Sequence, residues 1–254
     1  MGIDSQVLQA MQAHIGDWAL LHQATRWGLT LSETQTQLLA HYLEQLYTVN
    51  QQMNLTRVPP EQAIGRHILD SLCLLGVHSP PEGACVLDIG SGAGLPGIPL
   101  ANARPDLHIT LLDSHGKTVH FLRETCTLLG TNAHAVQARA EEWAHAPEAR
   151  EQFDLVVARA VAKMPILTEL MTPFLKLGGM GLALKSIHER DEIQAAAPAA
   201  RVLGASISTQ TVEFETETGA VQRAIAMLCK ERITPSQYPR AWAQILKRPL
   251  GGKA

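Results

Sequence analysis

Short, continuous apolar runs alternate with helical stretches from residue 84 onward, and that alternation constrains the fold more than any other feature. The runs read "ACVLDIG", "HITLLDS", "HAVQA", "FDLVVARA" and "GMGLALK", with helices expected near 97–103, 116–129, 140–145 and 164–176 between them. A strand that is apolar at every position must be covered on both faces, so these runs imply a parallel sheet wrapped by helices, a doubly wound α/β fold. After about residue 200, "ASISTQTVEF" and "RAIAMLCKE" alternate as antiparallel strands do and are expected to close one edge. Residues 1–78 read as a helical N-terminal extension, 79–229 as the sheet domain and 230–254 as a basic tail. In the extension, "SETQTQLLAHYLEQLYTVN" opens on Ser32 with Gln35 three residues later, a capping-box pattern. Leu39, Tyr42, Leu43, Leu46 and Val49 follow at helical spacing. A second amphipathic helix, "EQAIGRHILDSLCLLGV", is expected after Pro59-Pro60, with Ile64, Ile68, Leu72 and Leu75 on one face.

The first strand ends in "VLDIGSGAGLPGIP", which holds four glycines in the eight residues from Gly90 to Gly97. Glycines after a strand and before a helix let backbone N–H groups approach a ligand at the positive helix N-terminus. Pro96 and Pro99 suit the start of that helix, where a missing N–H costs little. Two cofactor classes compete for such a turn. Gly92-Ala93-Gly94-Leu95-Pro96-Gly97 matches the dinucleotide pattern GxGxxG, which suits a nicotinamide-dependent oxidoreductase. Asp113, ending the second strand, can accept ribose hydroxyls from either cofactor. Asp88, two residues before the first glycine, favours S-adenosyl-L-methionine, whose amino-acid end carries an ammonium and no pyrophosphate. A third alternative is a non-enzymatic RNA-binding scaffold with an idle pocket.

The third strand leads into "QARAEEW", where Glu141 or its neighbouring backbone is expected at the adenine, Glu142 in solvent and Trp143 in the core. The fourth strand ends at Arg159, and ligands of open α/β sheets gather at such carboxyl ends. "ARA" at residues 158–160 is neither the Asn/Asp-Pro-Pro-aromatic clamp used for exocyclic amines nor a cysteine nucleophile for pyrimidine carbons. Methylation of guanine N7 remains compatible, because that nitrogen has a free lone pair and no proton to lose.

Several separated motifs then carry a family resemblance. "NLTRV", "RHILDSL", "LDIGSGAGLPGIPLA", "RPDLHITLLDSHGKTVHFLRE", "ARAEEW", "FDLVVARAVA" and "ITPSQYPR" resemble, in order, the bacterial small-subunit ribosomal RNA guanine-N7 methyltransferases, also called glucose-inhibited division protein B. The resemblance covers roughly residues 30–250. It implies a Rossmann-like, S-adenosylmethionine-dependent methyltransferase acting on small-subunit ribosomal RNA. It also implies cofactor contacts at Gly90, Leu95, Ala140, Glu141 and Arg159, and a functional role for Arg139. With the turn's own logic, the expected cofactor set is Asp88, Gly90, Ser91, Gly92, Gly94, Leu95, Asp113, Ala140, Glu141 and Arg159. Arg139 and Arg159 are the expected catalytic pair, and Arg57, Arg66, Lys117, Arg139 and Arg240 the expected RNA contacts. The chain departs from the family pattern at Val49, where an aromatic is common, and at Ala243, Ile245 and Leu246, where Gly, Pro and Lys are common.

Composition restricts the alternatives. With a formal net charge of −3, the chain is not coated in nucleic-acid-binding charge. Positive charge gathers late, at Lys230, Arg232, Arg240, Lys247, Arg248 and Lys253, against the single acid Glu231. Cys73, Cys85, Cys126 and Cys229 are widely spaced, which reads as reduced thiols, with neither a disulfide framework nor a metal site. "MGIDSQVLQAM" lacks a secretory pattern, and Gln6 stands where a myristoylation motif needs Ser or Thr. No apolar run reaches membrane-spanning length. The expectation is a cytoplasmic monomer, in which the Asn54-Leu55-Thr56 sequon is irrelevant. Arg66 and Asp70, four apart on a helix, are expected either to pair with each other or to face RNA or cofactor. His67 is expected to be structural.

Overall fold

The computed structural model describes residues 15–251; the opening "MGIDSQVLQAM" and Lys253 lie outside them. A 3₁₀ segment, Trp18–Trp27, leads to α1 (Glu33–Met53), a π-helical turn (Ile64–Leu69) and α2 (Asp70–Val77). The sheet region follows as β1 (Cys85–Ile89), α3 (Gly97–Ala103), β2 (His108–Asp113), α4 (Gly116–Leu129), β3 (Ala133–Gln137), α5 (Ala140–Trp143), β4 (Phe153–Arg159), α6 (Met164–Met171) and β5 (Leu175–Ser186). The chain continues through α7 (Arg190–Ala195), α8 (Ala197–Leu203), β6 (Ala205–Thr216), β7 (Gly219–Lys230) and α9 (Trp242–Lys247). The seven strands lie in the order β3-β2-β1-β4-β5-β7-β6. Strands β1 to β5 pair in parallel, and β7 runs antiparallel to both β5 and β6. The strand order reverses between β2-β1 and β1-β4, which places the ligand crevice at the carboxyl ends of β1 and β4.

The uniform apolarity of the inner strands resolves into two cores with a period of two. Val86, Ile109, Leu111, Leu155, Val157 and Ile225 face the helices α1 to α4. Their chain neighbours Leu87, Leu112, Val156, Ala158, Ala224 and Ala226 face α6, α7 and α8. Each fully buried aliphatic side chain contributes about 1.5–3 kcal/mol relative to exposure. The extension is part of the first of these cores, because Leu39, Tyr42, Leu43 and Leu46 of α1 pack in the same cluster as the strand residues. The Ser32–Gln35 capping box forms in both directions, and Gln35 Nε2 also donates to Asn102 O at 2.8 Å, tying α1 to the end of α3.

The expected second amphipathic helix differs from what forms. Pro60–Gln62 make a single 3₁₀ turn, then a π-helical turn runs to Leu69 before regular α-helix resumes. Ile64, Gly65 and His67 to Leu75 are all buried and Arg66 alone is exposed, so the segment has no single apolar face. In the basic tail, Arg232, Lys247 and Arg248 are exposed, while Lys230 and Arg240 are taken up by acids. Lys230 is buried and donates to Thr172 O at 2.9 Å, to Thr234 Oγ1 and to Glu151 at 3.1 Å. Burial pulls its ammonium pKa down, and Glu151 opposes that.

Candidate functional site

In the turn after β1, Gly90, Gly92 and Gly94 adopt φ of +67°, +52° and +92°, a region side-chain-bearing residues enter at a cost. Gly97 is required for a different reason: a Cβ there would lie 2.2 Å from Leu111 Cδ2 and 2.8 Å from Asp88 Oδ2. Asp88 is wholly buried, and its Oδ2 accepts the Gly97 N–H at 3.0 Å while Ser91 Oγ donates to the Asp88 carbonyl at 3.0 Å. The carboxylate thus braces the turn from beneath through Oδ2, while its buried Oδ1 has no hydrogen-bond partner. Burial pushes its pKa up to about 7, although the Gly97 N–H favours the charged form. Only Gly90 and Gly92 of the turn are partly open; Ser91, Gly94 and Leu95 are buried.

The extension supports the turn directly. Tyr42, completely buried on α1, donates its hydroxyl to Ala93 O at 2.8 Å, and burial drives its pKa far above the ordinary phenol value. Tyr42→Phe leaves that buried carbonyl without its partner, a loss of about 1–3 kcal/mol. The expected result is a lower unfolding midpoint in urea together with a raised KM for the methyl donor. An unchanged KM would detach α1 from the cofactor turn.

Beside the turn opens a pocket of about 180 Å³, lined by Ile89, Leu112, Ala138, Ala140, Val161 and Leu170 and rimmed by Asp113, Arg139, Glu141 and Trp242. Asp113 accepts the Gly92 N–H at 3.0 Å through one oxygen and the His115 N–H at 2.9 Å through the other. Oδ1 also lies 3.2 Å from His115 Nδ1, so Oδ2, with a single donor, is the oxygen that keeps acceptor capacity. Arg139 Nε donates to Glu141 at 2.5 Å, and its guanidinium carbon stands 5.5 Å from the Trp242 ring centroid. Glu142 is exposed and Trp143 packs tilted on Phe153 and Phe174, as expected. An apolar slot with acceptors at its mouth fits the nucleoside of S-adenosylmethionine.

On the other side of the β4 end lies a wider cleft of about 440 Å³ lined by Arg57, Arg66, His67, Asp70, Arg159, Ala160, Lys185 and Arg223, among others. Arg159 donates to Arg66 O at 2.9 Å and to Asp70 Oδ2 at 3.3 Å, while Asp70 Oδ1 accepts from Arg223 Nε at 2.5 Å. Asp70 therefore pairs with two distant arginines and not with Arg66, whose side chain donates to Gln62 at 3.4 Å. Ala160 holds φ +56°, a strained conformation at the turn between pocket and cleft. His67 is buried; its Nδ1 lies 3.1 Å from Arg66 O and its Nε2 3.0 Å from the Thr56 hydroxyl. Burial and the neighbouring Arg159 pull its pKa down to about 3, which keeps it neutral and structural.

The structure brings together Arg57, Arg66 and Arg159 in the cleft, and Gly90, Asp113, Arg139, Ala140 and Glu141 at the pocket. Lys117 is exposed at the start of α4, outside both cavities. Arg240, expected at the RNA, has a structural partner: its Nε, Nη2 and backbone N–H grip the fully buried Glu169, with contacts of 2.8, 2.6 and 2.9 Å, and Nη1 is left outside that clamp. Lys185, Arg223 and Trp242 were not anticipated. Arg223 sits at an ordinary alternating position of a late strand, and only the register of β7 beside β5 reveals it.

The GidB family, described as rRNA small subunit methyltransferase G, matches residues 35–224. The chain belongs to this family. A curated relative of that name from Roseiflexus castenholzii is 40% identical over 91% of this chain and 98% of its own length. One from Halalkalibacterium halodurans is 37% identical over 88% and 94%. Among solved structures, the YcgJ protein of Bacillus subtilis has a TM-score of 0.51 at 12% identity, covering 65% of this chain and all of its own. A predicted O-methyltransferase of Agrobacterium tumefaciens also scores 0.51, at 18% identity, covering 68% and 83%. These two share the fold. The protein is thus an S-adenosylmethionine-dependent rRNA methyltransferase. Among the described residues, no helix is long and apolar enough to cross a membrane, no cluster of His, Cys, Asp or Glu is placed to hold a metal, and the four cysteines are free thiols.

Proposed function

We propose that this methyltransferase transfers a methyl group to N7 of a guanine in small-subunit ribosomal RNA, in the cytoplasm, with the nucleoside of its donor in the smaller pocket and RNA in the arginine-lined cleft. One observation carries the assignment: the two cavities flank the same turn, with Arg159 and Ala160 lining the cleft and Val161 the pocket. A donor in one and a base in the other meet at the end of β4. S-adenosylmethionine supplies an electrophilic methyl on a sulfonium. The chain's task is alignment, because N7 has its lone pair exposed and needs no base. Arginine commonly reads guanine by donating to both O6 and N7, yet here N7 must stay free, so a reading arginine is confined to O6 or a phosphate. Arg159, held by Asp70 and the Arg66 carbonyl, is suited to orient the base or the donor's carboxylate.

The roles follow from placement. Asp113 accepts ribose hydroxyls, Gly90 and Gly92 present backbone, and Ala140 and Glu141 border the adenine. Asp88, Ser91, Gly94 and Leu95 shape the turn from within. Arg57, Arg66 and Arg223 face RNA phosphates, and Lys117 meets RNA from the edge. The helices before residue 79 act as one wall of the catalytic domain, since Tyr42 and Asp70 belong to them.

Mass mapping of methylated bases in ribosomal RNA from cells with and without the protein tests the substrate; an unchanged map rejects guanine N7. Asp113→Ala should weaken binding of S-adenosylhomocysteine by one charged hydrogen bond or more, each about 1.5–3 kcal/mol. Wild-type affinity in that folded variant would remove the pocket assignment.

A further inference from the structure

We propose that Trp242, from the tail beyond the matched family region, forms the stacking wall of the adenine pocket, making the tail a part of the cofactor site. The inference rests on the reading of the smaller pocket as the donor's nucleoside site. Trp242 opens α9, only six residues long and 18 positions past the end of the family match at 224. It nevertheless lines the pocket beside Ala138, Ala140 and Leu170. The tail is strapped into this position by contacts on both sides of the tryptophan. His145 Nε2 lies 2.8 Å from Pro239 O, and Arg150 donates to Tyr238 O at 2.8 Å. Arg240, two residues before Trp242, is clamped on Glu169. Ile245, three residues after it, is completely buried. A six-residue helix with no acid, set over a pocket by so many contacts, holds its one aromatic where a purine would lie.

The surroundings suit an aromatic base. Ile89, Leu112, Ala138, Ala140, Val161 and Leu170 give the pocket an aliphatic floor beside its polar rim, and the indole of Trp242 offers a π-face to a base. Arg139 stands over the same ring and is itself fixed by Glu141, so the indole is held from the side as well as from its own helix. Arg139 and Trp242 thereby form one unit. Arg139 supports the pocket wall through Nε and its stacking, and its exposed Nη atoms stay available for the expected RNA contact.

The test is calorimetric binding of S-adenosylhomocysteine to the full chain, comparing wild type with Trp242→Phe, Trp242→Leu and Trp242→Ala, and with Asp113→Ala in parallel. Unfolding curves of each variant establish that it is folded. Stacking predicts that phenylalanine retains affinity within a few-fold, while leucine and alanine lose roughly fivefold to a hundredfold. In turnover assays the loss should appear in KM for the methyl donor, with kcat little changed. If leucine binds as tightly as wild type while Asp113→Ala is impaired, the stacking wall is wrong and the pocket assignment stands. If neither Trp242→Leu nor Asp113→Ala changes affinity, the pocket is not the cofactor's and both fall. Should Trp242→Ala unfold, the leucine and phenylalanine pair still decides.

Discussion

Arg240→Ala should cost about 3–5 kcal/mol of stability, the typical penalty for leaving a buried charge without its partner. Glu169 is completely buried, and Arg240 satisfies its two carboxylate oxygens through three donors. Removing the guanidinium strands the carboxylate inside the core between α6 and the tail. Urea unfolding monitored by circular dichroism measures the loss as a shift in midpoint at constant slope. The double replacement Arg240→Met with Glu169→Leu should recover most of it, because the cost arises from the orphaned charge and not from the missing attraction. RNA affinity, measured where the single variant is still folded, should be unaltered. A variant of near wild-type stability with weakened RNA binding would restore Arg240 to the interface.

The second large effect concerns turnover. Arg159→Ala should reduce kcat/KM for RNA methylation at least about a hundredfold, the scale expected when reacting groups are misplaced by about 1 Å. Arg159 is mostly shielded, 17% exposed, and spans from β4 to the π-helical turn through Arg66 O and Asp70. Lysine should not rescue it, because Nη1 donates to both Arg66 O and Asp70 Oδ2 and leaves Nε and Nη2 of the planar guanidinium over for a substrate, whereas a lone ammonium has no second nitrogen to present. Binding then divides the roles: lost RNA affinity with the donor still bound marks a substrate residue, and the reverse marks a cofactor residue. Wild-type turnover in a folded Arg159→Ala protein would place the active site elsewhere.

What was legible in the sequence is what short-range chemistry determines. The apolar strands, the Ser32–Gln35 cap, the glycine turn and the antiparallel edge are all set by residues near one another in the chain, and each forms where expected. Side chains that depend on distant partners were not legible. Asp70 and Arg66 have ideal spacing for a helical pair, yet the π-helical turn shifts the register, and Arg159 and Arg223, 89 and 153 residues away, take the carboxylate. Basic residues in the tail look like a solvated patch until Glu151 and Glu169 are seen beneath Lys230 and Arg240. Asp88 reads as a ligand contact from its place in the motif, and only the fold shows that its Oδ2 also braces the turn through the Gly97 N–H.

The N-terminal segments and the β6–β7 hairpin are also interlocked, and this bears on how the enzyme is made. Gln23 donates to Glu215 O at 3.1 Å and accepts the Glu215 N–H at 2.7 Å, and Glu217 accepts the Gly65 N–H. Trp27 meets Phe214 edge to face at 5.8 Å. The partners are 192 residues apart, so the first helices leave the ribosome long before the hairpin that covers them exists. At synthesis rates of about 5–20 residues per second, their apolar surfaces wait roughly 10–40 seconds for burial. A nascent chain of this design carries that uncovered apolar surface through most of its translation, and a chain ending before β6 should aggregate on expression where the full chain stays dispersed.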